Sequence, residues 1–310
     1  MTGALRRYGV HLALVGVAAV WGGTFVVVKD AVSLYPVNAF LAIRFAIAVV
    51  AFVAVAPASV KMLDWGTASA GVLAGAFLTA GYIFQTWGLE DTAASKAAFI
   101  TGMFVVITPV LQALVLRRVP RSATIAGVVL AVIGLWLLSG VDAGGWNVGD
   151  SRVLACAVAY SGHMIVLGGV GRRHDVRPLT LVQLATVAVV CGVLSVATEP
   201  IALPREASVW GALLLTGVVG SAAAFAIQTY AQRTLSPSKT ALILISEPAF
   251  GGLFGYLAGE RLGVGGLVGS ALILAGMVVA EMIGSRSAGD GAYFEPALEG
   301  PPVMRESDLR

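Results

Sequence analysis

The sequence predicts an all-α integral membrane protein of ten transmembrane helices, arranged as two inverted five-helix repeats. Three observations predict it: a composition poorly suited to water, a succession of apolar runs of crossing length, and short motifs that recur about 140 residues apart. Of the 310 residues, 58% are apolar and 12% charged, about half the charge fraction of soluble domains, and the mean hydropathy is +0.89. One crossing takes ~20 apolar residues, so the chain has room for about ten crossings with short loops and no separate soluble domain.

Apolar runs bounded by charges, Pro or Gly clusters place helices near 10–31, 37–56, 67–88, 93–116, 122–140, 152–169, 179–198, 209–231, 238–258 and 264–284. Before the first lie residues 1–9, a cytoplasmic N-terminus whose Arg6 and Arg7 resemble the start of a signal peptide. The run from Val10 to Val28 is long for that role, contains Trp21 and is followed by further spans, so a retained helix is expected. The second helix follows Pro36 and carries Arg44; the third holds Gln85-Thr86 and the fourth Pro109. A basic turn, Arg117, Arg118 and Arg121, leads into the fifth. Gly162-His163 falls in the sixth, Gln228-Thr229 in the eighth, Glu247-Pro248 in the ninth, and Gly259-Glu260-Arg261 precedes the tenth. Cys156 and Cys191 sit inside apolar runs, where a thiol behaves as a small hydrophobe, and no disulfide framework follows. Residues 285–310 are polar and carry Pro296, Pro301 and Pro302, which predicts a disordered cytoplasmic tail.

With the N-terminus in the cytoplasm, the loops of that side hold twelve basic residues: Arg6, Arg7, Lys61, Arg117, Arg118, Arg121, Arg172, Arg173, Arg177, Arg233, Lys239 and Arg286. The opposite side holds five: Lys29, Lys96, Arg152, Arg205 and Arg261. The positive-inside bias therefore predicts a multi-pass protein of the cell inner (plasma) membrane with both termini cytoplasmic. The halves, 10–140 and 152–284, look related. Gln85-Thr86 and Ser95-Lys96 recur 143 residues later as Gln228-Thr229 and Ser238-Lys239. Pro109 recurs as Pro248 after 139, and Gly127 and Gly134 recur as Gly269 and Gly276 after 142. A repeat with an odd number of helices enters the membrane from the opposite side in its second copy, and such pairs exchange access around a midplane site.

Trp21-Gly22-Gly23-Thr24-Phe25, Arg44-Phe45, Glu247-Pro248 and Gly259-Glu260-Arg261, taken with this layout, resemble the EamA-type transporters of the drug/metabolite transporter superfamily. The resemblance covers roughly residues 10 to 284 and implies a central cavity built mainly by the first, third and fourth helices of each half, with the last helix of each half peripheral. It also implies export of metabolites or amino acids. The turn Arg117-Arg118-Val119-Pro120 departs from the Gly-Glu-Arg/Lys-like turn that family members often carry in both halves.

Polar residues within the spans are candidates for the solute site. Arg44 lies eight residues beyond Pro36 and Glu247 eight beyond Lys239, so their depths differ by only about 6 Å across a ~30 Å core. Two readings compete for Glu247: a cavity-lining carboxyl that binds a proton or an amine, or half of a buried ion pair with Arg44 that fixes packing. Arg44 is expected in a structural pairing, and Pro109 and Pro248 are grouped with it as structural positions. Gln85 and Gln228 need hydrogen-bond partners from a neighbouring helix or from solute. Tyr82 and Phe225 beside them can stack on solute, whereas Trp87 and Tyr230 near helix ends are expected to anchor at the interface. Trp21 and Thr24, next to Gly22 and Gly23, are expected on the cavity. His163 is either a proton acceptor there or a buried neutral ring. The substrate-binding set is thus Trp21, Thr24, Tyr82, Gln85, His163, Phe225, Gln228 and Glu247.

Basic residues scattered between apolar runs exclude a nucleic-acid partner despite the net charge of +3. No catalytic motif, phosphate loop or ligand-spaced Cys/His cluster occurs, so no enzyme, cofactor or metal is expected. The partners expected are a small-molecule solute and the lipid bilayer, with proton exchange as the simplest coupling; small-xxx-small glycine pairs leave monomer and homodimer both open. The function expected is secondary transport, export of a small organic metabolite by alternating access, with a passive channel or facilitator for a small polar solute as the alternative.

Overall fold

A computed structural model describes residues 3–115, 122–140, 145–233, 235, 237–244 and 246–279. The predicted tail 285–310 and the Arg117–Arg121 turn lie outside the described residues. Every regular element among the described residues is helical. Apart from one short turn of helix, Ala58–Lys61, they are α1 (Gly3–Val32), α2 (Val37–Val55), α3 (Trp65–Asp91), α4 (Ala94–Val115), α5 (Ser122–Gly140), α6 (Val148–Val170), α7 (Val176–Thr198), α8 (Ala207–Gln232), α9 (Pro237–Leu244 and Ser246–Leu257) and α10 (Val264–Val278). Seven of these, α1 to α4 and α6 to α8, are long and apolar enough to cross a bilayer. The sequence predicts ten. The difference lies in α5 and α10, whose apolar stretches are the shorter 125–134 and 264–276, and in α9, which is described as two segments.

Local chemistry sets the helix ends. Pro36 stops α1 and opens α2, and the Glu199 carboxylate, reaching over from the end of α7, accepts from the backbone N–H groups of Asn38 and Ala39 at 2.8 Å each. Asp64 caps α3 through the N–H and hydroxyl of Thr67. Asn147 and Asp150 form a reciprocal capping box at the start of α6. Two helices depart from regular winding: α4 breaks at Met103, and residues Leu215–Ala223 of α8 wind as a π-helix.

Small residues let the helices touch along their backbones. A Cβ on Gly22 of α1 would lie 2.7 Å from the Gly251 nitrogen and 2.8 Å from the Glu247 carbonyl oxygen, which seats α9 directly on α1. The α5–α10 contact is reciprocal. A Cβ on Gly134 would meet Gly269 O at 2.5 Å and Ile273 N at 2.8 Å, and one on Gly276 would meet Gly127 O at 2.5 Å and Ala131 N at 2.8 Å. These are the glycines whose recurrence marks the sequence. The main core is filled by Phe40, Leu41, Phe45, Leu78, Leu89, Leu184 and Leu213, each at most 1% exposed, from α2, α3, α7 and α8.

Candidate functional site

A cavity lies among α1, α2, α3, α4, α6, α8 and α9. α1 lends Trp21, Thr24, Phe25 and Val28; α3 lends Leu78, Tyr82, Gln85 and Leu89; α6 lends Tyr160, His163 and Met164. Phe225 and Gln228 come from α8, Leu244 and Glu247 from α9, Phe104 from α4 and Arg44 from α2. All eight residues selected from the sequence as solute contacts therefore face one space.

Aromatic rings build the wall. Tyr82 packs edge-on against Phe45, Tyr160 and Phe225, with centroids 4.8, 5.7 and 6.0 Å apart. Trp21 lies 5.3 Å from Phe225, and its indole N–H donates to Gly220 O at 2.8 Å, which pins the ring to the π-wound part of α8. The Thr24 hydroxyl donates to Trp21 O one turn back. Gln85 donates to Thr101 Oγ1 at 3.3 Å and accepts from the Tyr160 hydroxyl at 3.4 Å.

Two ionisable side chains enter from opposite sides of the chain's midpoint. Arg44, 2% exposed, donates through Nε to Ser221 Oγ (3.0 Å) and through Nη2 to the Tyr82 hydroxyl (3.2 Å), and its guanidinium sits 4.6 Å from the Tyr82 ring centroid. Glu247 is 4% exposed, and its carboxyl makes no hydrogen bond or ion pair with another described residue. The ion pair considered from the sequence is therefore absent. Arg44 is satisfied by neutral oxygens and an aromatic face, with no carboxylate within 4 Å among the described residues. Pro109 lies inside α4 and Pro248 inside α9, both off the cavity wall. Pro248 has no N–H to offer the carbonyl of Leu244, and Leu244 is itself a lining residue. Trp87 packs half-buried against the main core and Tyr230 is 37% exposed; neither touches the cavity.

Sequence reasoning missed Tyr160, Met164 and Phe104. Tyr160, His163 and Met164 stand at i, i+3 and i+4, one face of a helix, so His163 itself was the signal for the first two. Phe104 is an apolar residue among apolar residues and offered none. Among the described residues no three His, Cys, Asp or Glu side chains gather to hold a metal ion.

An aromatic-walled space with fixed polar groups, enclosed by helices of membrane-crossing length, is the arrangement of a membrane transporter. The chain belongs to the EamA-like transporter family, whose model matches it twice, over residues 8–140 and 147–282. A protein of Archaeoglobus fulgidus described as an uncharacterized transporter is 31% identical over 250 residues, covering 81% of this chain and 78% of that one. A solved crystal structure aligns over 91% of this chain and 99% of its own with a TM-score of 0.69 and 20% identity, a likeness of fold alone.

Proposed function

We propose that the protein is a secondary transporter that exports small organic metabolites, amino acids or related compounds, across the inner membrane by alternating access. In this reading ten helices span the bilayer in two inverted halves, residues 10–140 and 152–284, with both termini cytoplasmic. Its support is the reciprocal α5–α10 contact and a cavity drawn from the first, third and fourth helices of each half, with Arg44 added from α2. The eight selected residues contact the solute, and Arg44 joins them.

The observation that carries the reading is that two ionisable side chains of opposite sign, not paired with each other, line one cavity. Among the described residues Arg44 has no carboxylate and Glu247 no cation within ion-pair distance. A buried charge is costly without a partner, and a solute with an acidic and a basic end supplies both partners at once. Glu247 also offers a site for a proton when no solute is present, which couples transport to proton exchange. Cells overproducing the protein should release metabolites that cells overproducing the Glu247→Gln form retain, with release lowered roughly tenfold or more, the factor carried by ~1.4 kcal/mol of lost binding. The released compound should show saturable counterflow in proteoliposomes. Equal release from both forms sinks the role of Glu247, and flux without counterflow makes the protein a channel.

A further inference from the structure

Behind the α6 side of the cavity lies a polar group that the cavity wall itself does not include. Gln183 is fully buried on α7, a helix that contributes nothing to the cavity lining. Its amide bridges two helices that do: Oε1 is 2.9 Å from Nε2 of His163 on α6, and Nε2 donates to Thr229 Oγ1 on α8 at 2.9 Å. A primary amide has one donating end and one accepting end. With the NH2 directed at Thr229, the carbonyl faces the imidazole, and only a proton on His163 Nε2 completes that contact.

The consequence falls on the other ring nitrogen. His163 Nδ1 makes no hydrogen bond with a described residue, although the ring lines the cavity and stands edge-on to Phe225 at 6.0 Å. A second acceptor shares this wall. Gln228 turns its NH2 to Met164 Sδ (3.0 Å) and Gln232 Oε1 (3.4 Å), which leaves its own Oε1 buried with no partner. A buried acceptor without a donor is costly, so Gln228 Oε1, in the same lining as His163, marks where a donor is to come from.

We infer that Gln183 is a positioning residue: it holds His163 as the Nε2–H tautomer, so that Nδ1 is left as an acceptor for an N–H or O–H group of the solute in the cavity that Gln228 also lines. The inference rests on the cavity being the solute site, but its first readout does not.

The protein contains three histidines, His11, His163 and His174, so ring 15N spectra of histidine-labelled protein in detergent are tractable, with His163→Asn to assign the signal. The expected pattern for His163 is a protonated Nε2 and an unprotonated Nδ1, without any solute. Gln183→Leu should mix or invert it, while Gln183→Glu, which keeps an acceptor in reach of Nε2, should retain it. Thr229→Val, which frees the amide to turn over, is the second route to a mixed pattern if Gln183→Leu does not fold. An Nδ1–H ring in the wild type, or an unchanged pattern in both Gln183→Leu and Thr229→Val, overturns the inference. Transport of the compound found in the efflux screen should fall roughly fivefold in Gln183→Leu, the effect of one lost hydrogen bond, and return in Gln183→Glu. A correct tautomer with unaltered transport in these variants would refute the solute half of the inference and leave the Glu247 result standing on its own.

Discussion

Two corners at opposite ends of α6 are built from matching pieces of sequence and held in different ways. At the α3–α4 corner, Lys29 Nζ donates to the carbonyls of Leu89 (2.9 Å) and Thr92 (2.6 Å). Glu260 accepts from the N–H groups of Ala94 (2.7 Å) and Ser95 (2.8 Å). Lys96 and Asp150 form a buried ion pair at 2.7 Å, and Thr92 donates to the same Asp150 at 3.0 Å. At the α8–α9 corner, Gln232 donates to Met164 O at 3.1 Å, and Pro237 packs where a Cβ on Gly168 would lie 2.3 Å from its ring. α9 opens on Pro237, which has no N–H for a carboxylate to cap. The positions 143 before Glu260 and 139 before Asp150 are Arg117 and His11, neither an acid. Among the described residues one end of the scaffold is latched by charge-assisted bonds, and the contacts described at the other are packing and a neutral amide.

The largest effect expected from breaking this contrast is at Asp150. Asp150→Ala leaves Lys96 buried without a carboxylate and should cost about 3–5 kcal/mol in thermal or denaturant unfolding of the detergent-solubilised protein. Gln232→Leu at the other corner should cost only about 1 kcal/mol. Equal losses would erase the distinction between the corners. An effect smaller than that of Asp150→Ala is expected from Glu260→Gln, which keeps the shape of the α4 cap and removes its charge, at about 1–2 kcal/mol. That change should also speed thiol labelling of a Leu89→Cys reporter on the cavity wall, since both native cysteines are buried; an unchanged labelling rate would mean that Glu260 does not hold the corner shut.

The smallest effect belongs to a cap away from both corners. The Thr67 hydroxyl, followed by its backbone N–H, holds the Asp64 carboxyl below the usual carboxylate range. A carboxyl lowered by folding stabilises the native state above its unfolded pKa of ~3.9, and that contribution disappears as pH falls through the lowered value. Stability of Asp64→Asn should therefore differ from wild type at neutral pH and converge with it in acid. A difference that stays constant down to low pH would take Asp64 out of the account.

What the sequence revealed followed from solvent. In hydrocarbon a polar side chain is conspicuous, so Gln85, Gln228, His163 and Glu247 stood out before any coordinates, and all line the cavity. Depth alone did not identify partners. Arg44 and Glu247 lie at similar depth along their helices, yet Arg44 is taken by Ser221, an ordinary small residue placed within reach where α8 winds wide. Gln183, one amide among apolar neighbours, gave no hint of pointing behind His163 rather than at lipid, because the facing of α7 is set by packing against α2 and α3. The outlines of the helices were legible from the apolar runs. The break at Met103 and the π winding of α8 were not, since both depend on how neighbouring backbones approach.

The wide winding of Leu215–Ala223 acts as a phase adjuster for the rest of α8. A π segment accommodates surplus residues that a regular helix would spread over extra rotation, and each residue of an α-helix turns the chain by about 100°. Rewinding those nine residues with α geometry would change the rotation at which Phe225 and Gln228 leave the segment. The face that both side chains turn to the cavity is thus set upstream of them, by backbone winding rather than by their own contacts.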